Sequence, residues 1–300
     1  MARKPERNDR KGAKKPPFKG RPEASVQGGR ERGWTPDRPV RSEGDSARPP
    51  RGGDRSRADA DNFLWGRHPV LAALANPLRK GAGRLLVTED RAAEIERDKL
   101  AHGHKIEVID RQALEKMLPA GAVHQGFAFK VQPLEGVSLE DIADPANGVI
   151  VMLDQVTDPQ NVGALFRSAL AFGAKGIIVQ DRHSPALAGA LAKAAAGATE
   201  RLPHVRVTNL SRALERLADL GWRAVGLDGS AELTLEQALD PLPTVLVIGS
   251  EGDGIRRLVA EHCDVLAKIP MPGGFESLNV SNAAAVALYE AMRAQTRAAG

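Results

Sequence analysis

The chain has 300 residues, of which 42% are apolar but only 4% aromatic, with one cysteine and a net charge of +4. A chain of this length can bury one large core or two ordinary ones, and with so few aromatics Val, Ile, Leu and Ala must build it, which suits an α/β protein. Cys263 has no intrachain partner, no Cys/His cluster has zinc-site spacing, and no stretch is long and apolar enough to span a bilayer or serve as a signal peptide. The expectations are a reducing, cytoplasmic setting, no metal and no membrane.

Residues 1–61 hold 17 Lys and Arg against 10 Asp and Glu, whereas the remainder holds 25 against 28. Rich in Arg, Gly and Pro and nearly devoid of aliphatic side chains, this stretch reads as a disordered basic tail. It either attracts phosphates without regard to sequence or serves as a solubilising extension. A first α/β unit is expected over 62–131. It opens with a helix in FLWGRHPVLAALANP (63–77) and continues with a strand over 84–90, a charged helix over 91–102 and a strand over 105–110. A helix near 111–118 and a closing strand over 124–131 complete it. Residues 132–147 mix Pro, Gly and acids and read as a linker with room for a short helix.

From residue 148 to 300, near-continuous apolar strands alternate with amphipathic helices, the pattern of a mainly parallel sheet covered on both faces. Such sheets bind ligands outside the carboxyl ends of their strands. Three strands run into loops dense in Gly, Pro, Asn and Ser: DQVTDPQNVG after VIVML, GSEGDGI after TVLVI, and PMPGGFESLNVSN after LAKI.

Each loop alone has an ordinary explanation. Asp158-Pro159 can end an extended segment and Asn161 can cap a helix starting near Val162. Arg167 fits less easily, because it interrupts the apolar pattern of Leu165, Phe166 and Leu170. Gly249-Ser250-Glu251-Gly252 could be a plain turn with glycines at positive φ, and it lacks a dinucleotide-binding spacing. In the third loop Asn279 or Ser281 could cap the last helix while Ile269, Met271 and Leu278 fill core.

In order and together, the loops resemble a known set. Asp158-Pro159-x-Asn161-Val162-Gly163 with Arg167, then Gly249-Ser250-Glu251-Gly252, then Ile269-Pro270-Met271 with Ser277-Leu278-Asn279-Val280-Ser281 are similar to the three motifs of SpoU/TrmH RNA 2′-O-methyltransferases. Gly66-Arg67-His68-Pro69-Val70 and His124-Gln125-Gly126 resemble the small L30e-like RNA-binding domain that precedes the catalytic domain in the branch acting on a guanosine of 23S ribosomal RNA.

The resemblance implies a catalytic domain over 148–300 tied into a deep trefoil knot, with S-adenosyl-L-methionine held around Gly249, Ile269, Met271 and Leu278. It implies catalytic roles for Arg167, Asn161, Glu251, Ser277 and Asn279. An arginine is a poor general base, so Arg167 is expected to clamp the phosphate beside the target ribose and stabilise alkoxide character. RNA is the implied partner, and a homodimer is implied through the last helix, where Val280, Ala284, Val286 and Leu288 suit either a partner or the chain's own core. A transfer RNA methyltransferase and a non-catalytic RNA-binding assembly factor are the competing readings.

Overall fold

The computed structural model describes residues 62–81, 83–273 and 278–297; the basic segment 1–61 and Ser277 lie outside the described residues. The first unit is built on β1 (Phe63–Trp65), α1 (Arg67–Ala75), β2 (Arg84–Val87), α2 (Glu89–Arg97), β3 (Ile106–Val108), α3 (Arg111–Met117) and β4 (Phe127–Lys130). Its four strands lie in the order β1-β4-β2-β3, antiparallel on both sides of β4 and parallel between β2 and β3. The segment expected to open directly as a helix begins instead as a strand. Three residues show no strand period of their own, and Gly66, at φ 91°, turns the chain from β1 into α1.

Residues 132–147 carry α4 (Leu139–Ala143), capped at both donors by a reciprocal Ser138–Asp141 pair. Ile142 and Ala143 are buried against the larger sheet, and Ala143 accepts a hydrogen bond from the Trp222 indole at 2.8 Å.

The larger unit follows as β5 (Val149–Leu153), α5 (Pro159–Ala171), β6 (Gly176–Gln180), α6 (Gly189–Ala195), β7 (His204–Val207), α7 (Leu210–Asp219) and β8 (Arg223–Leu227). It ends with β9 (Leu233–Thr234), α8 (Leu235–Ala238), β10 (Thr244–Ile248), α9 (Arg257–Ala260), β11 (Val265–Lys268) and α10 (Val280–Arg297). The expected strand and helix order holds, with β9 and α8 added. Between β10 and β11 the helix is only the four residues of α9.

Seven strands form one sheet in the order β7-β6-β5-β10-β8-β11-β9, every pair parallel. β5, β6 and β10 are buried along their whole length, as a sheet covered on both faces requires. One face packs on α5, α6 and α10, the other on α4 and α7. α7 shows why: Leu210, Ala213, Leu214 and Leu217 recur on a single helical face, and a fully buried leucine contributes about 1.5–3 kcal/mol. Gly163 lets α5 and α6 meet closely, since a Cβ there would come within 2.4 Å of the Leu191 carbonyl oxygen.

Ala188 and Ala192 reach into the core of the first unit, so the two sheets share packing. Arg79 and Glu200 reinforce that junction. Their side chains are 4% and 1% exposed and meet through two bonds of 2.8 Å, with Asn76 adding a third contact to the carboxylate at 2.8 Å.

Candidate active site

β5 and β10 are neighbours, yet the connections after them leave in opposite directions, toward β6 on one side and β11 on the other. This divergence opens a crevice at the carboxyl ends of the strands. The three loops singled out in the sequence leave β5, β10 and β11 at this edge.

Asp158 caps α5, accepting the backbone N–H of Asn161 at 2.9 Å, and Pro159 takes the first helical position. Asn161 was expected to be the cap. A proline at that first position needs no donor and fixes the cap at the residue before it, which leaves the Asn161 side chain free of that duty. Its amide Nδ2 instead donates to Glu251 Oε1 at 3.0 Å.

Glu251 stands on a tight turn closed by two hydrogen bonds between Ser250 and Gly254. Gly252 and Gly254 take positive φ, as expected, whereas Gly249 does not. Gly249 is needed for closeness: a Cβ on it would lie 2.0 Å from the Gly254 carbonyl carbon. Glu251 Oε1 also receives Asn279 Nδ2 at 2.8 Å and the Val280 N–H at 3.3 Å. Asn279 Nδ2 lies 3.0 Å from Asn161 Oδ1, and Asn279 Oδ1 accepts from Ser281 N, at 3.0 Å, and Ser281 Oγ to cap α10. Asn161, Glu251 and Asn279, one from each loop, therefore form a closed polar triangle.

Beside the triangle is a cavity of about 220 Å³ lined by Gly249, Glu251, Ile269, Met271 and Leu278, with Leu227, Ile248, Ala267 and Val280 among its apolar walls. Leu278 is 40% exposed and Met271 half-buried, so neither is simply core. An apolar slot floored by glycine backbone suits a planar adenine-like ring attached to a polar tail.

Arg167 projects from the exposed side of α5, six residues beyond Asn161, which is about 9 Å along a helix axis. It makes no hydrogen bond or ion pair with a described residue and does not line the 220 Å³ cavity. The structure thus unites Asn161, Glu251, Asn279, Gly249, Ile269, Met271 and Leu278, and leaves Arg167 two turns away on the same helix.

Sequence reasoning missed Asp154 and Arg256. Asp154 directly follows β5 and has no exposed surface, and its carboxylate accepts Arg256 Nε at 2.7 Å and the Arg256 N–H at 2.8 Å, lacing the first loop to the second. Among the described residues no group of three or more His, Cys, Asp or Glu side chains could hold a metal, and no helix is long and apolar enough to cross a membrane.

Residues 148–289 match the SpoU rRNA methylase family, and residues 63–137 match the RNA 2′-O ribose methyltransferase substrate-binding domain. A Mycolicibacterium smegmatis protein described as an uncharacterized tRNA/rRNA methyltransferase is 35% identical over 94% of both chains. A Synechocystis protein with the same description is 38% identical over 82% of this chain and 66% of its own. Among solved structures, the SpoU methyltransferase AviRb from Streptomyces viridochromogenes, in complex with the cofactor AdoMet, superimposes with a TM-score of 0.67 at 27% identity, covering 83% of this chain and 95% of AviRb. The chain is a member of the SpoU family of RNA 2′-O ribose methyltransferases.

Proposed function

We propose that this protein transfers a methyl group from S-adenosyl-L-methionine to the ribose 2′-hydroxyl of a guanosine in large-subunit (23S) ribosomal RNA. The observation that carries the reading is the Asn161–Glu251–Asn279 triangle beside the cavity lined by Gly249, Ile269, Met271 and Leu278. The cofactor seen in AviRb supports the methyl donor, and the substrate-binding domain over 63–137 supports RNA.

When bound, the cofactor supplies an electrophilic methyl on a sulfonium sulfur. The chain's own residues then have two tasks. Gly249, Ile269, Met271 and Leu278 would hold the adenosine and methionine parts through backbone and apolar contact. Arg167, free of protein partners among the described residues, would clamp the phosphate next to the target ribose and favour alkoxide character as the hydroxyl loses its proton. Glu251 orients Asn161 and Asn279 toward that ribose. Ser277 completes the set on the strength of the sequence motif.

The reading extends to architecture. β10 enters between β5 and β8, and β11 between β8 and β9, before α10 returns against α5; this order supports a trefoil-knotted threading of the last third of the domain. The expected dimer seam needs restating. Val280, Ala284 and Leu288 are buried in the chain's own core, while Val286 and Tyr289 are exposed on α10 and would face a second copy. The lone half-buried cysteine fits a cytoplasmic enzyme.

The test is a map of ribose methylation, read as resistance to alkaline cleavage, in ribosomal and transfer RNA from cells with and without the protein. Loss of one site in large-subunit RNA is expected. Loss at a transfer RNA position would move the substrate, and identical maps would remove the activity.

A further inference from the structure

A cleft of about 460 Å³ separates the first unit from the parallel-sheet unit. Trp65 and Val123 line one side; Pro185, Ala188 and Lys193 line the other; Gln160 lies where α5 begins. The lining contains one cation and no carboxylate. Apolar lining on both sides suits the faces of a base, and the absence of acids suits a ligand with a negative backbone.

The two polar groups are differently prepared. Lys193 is held in place: its Nζ donates to Gln125 Oε1 at 3.0 Å, the same oxygen accepts the Arg67 N–H at 3.2 Å, and a Cβ on Gly66 would come within 2.3 Å of Nζ. Partial burial holds the Lys193 ammonium below the usual lysine pKa. Gly66, Arg67 and Gln125 of the first unit therefore fix a lysine of the other unit at the cleft. Gln160 is exposed, and its amide makes no hydrogen bond with a described residue, so it can offer both donor and acceptor to a base edge.

Gln160 and Asn161 are consecutive on the first turn of α5, one lining the cleft and the other bonded to Glu251. An RNA strand presenting its ribose to the polar triangle thus has a neighbouring nucleotide within reach of the cleft. We infer that the cleft binds one unpaired nucleobase next to the methylated nucleotide, with Gln160 contacting its edge and Lys193 its phosphate. This rests on the RNA-methylating function proposed above and names a specificity site for it.

The test uses the full-length protein and single-stranded hexanucleotides of A, C, G or U, each with one photoreactive base, followed by identification of the crosslinked peptide. Crosslinks at Trp65, within 119–123, at 159–160 or within 185–193 are expected. Val123→Glu, at a side chain 65% exposed and therefore safe for folding, should lower their yield by about tenfold or more while leaving S-adenosylmethionine affinity unchanged. Gln160→Ala should flatten the preference among the four bases. Crosslinks confined to other peptides, or equal yields in Val123→Glu, would overturn the site. Methyl transfer to ribosomal RNA, measured separately, keeps the two ideas apart: transfer with crosslinks elsewhere removes the cleft alone, and crosslinks in the cleft without transfer remove the activity alone.

Discussion

The carboxylate of Asp154, wholly buried at the end of β5, is bonded to both the backbone and the guanidinium of Arg256, 102 residues later. The pair fixes the turn that carries Glu251 against the loop that carries Asn161. It also stands in for the water that a buried carboxylate would otherwise lack.

Removing one half of this pair should therefore be costly. Arg256→Met keeps the backbone bond but strips the guanidinium from a buried charge, and an expected loss of about 1–3 kcal/mol follows from the desolvated acceptor left behind. Urea unfolding measures it, and calorimetry should show weaker binding of S-adenosylmethionine through the loosened second loop. Wild-type values in both measurements would show that the pair does not hold the loops.

Asn161→Asp changes one donor into an acceptor facing Glu251, where Asn161 Nδ2 and Glu251 Oε1 now lie 3.0 Å apart. Two carboxylates at that separation cannot both stay charged, so one pKa rises and a shared proton restores a hydrogen bond at low pH. Methyl transfer by this variant should fall well below wild type at pH 8 and recover as the pH is lowered toward 5.5. A uniform deficit at every pH would mean that Asn161 and Glu251 do not act as a pair.

These two cases show what was legible in the sequence. The loop residues could be read because each motif is contiguous, and Asn161, Glu251 and Asn279 did converge. Asp154 and Arg256 could not be paired in advance, because their contact depends on β10 lying beside β5, and strand order is not written in any local pattern. The same holds for Arg79 and Glu200, whose ion pair depends on how the two units meet. Asn161 and Asp158, three residues apart, have equal capping chemistry, and the proline that follows Asp158 decides between them. Val280, Ala284 and Leu288 were ambiguous between core and partner because helical periodicity marks a buried face without saying what buries it.

His204, on β7, is buried with its Nε2 making no hydrogen bond to a described residue, and desolvation pushes its pKa down from 6.5 to about 4. Between those values the unfolded chain binds the proton that the folded chain refuses, so stability is complete above pH 6.5 and declines as pH falls toward 4. The decline attributable to this residue is about 3 kcal/mol at most. Unfolding free energies of wild type and His204→Leu at pH 7.5 and 4.5 should show a smaller acid loss in the variant; parallel losses would exonerate His204.

The most direct measurement is transfer of a labelled methyl group to ribosomal RNA by Arg167→Ala beside its affinity for S-adenosylmethionine. Arg167 is exposed and outside the 220 Å³ cavity, so folding and cofactor binding should match wild type while transfer falls by about a hundredfold or more. Transfer at the wild-type rate would contradict the assignment of the guanidinium to the reacting ribose and phosphate.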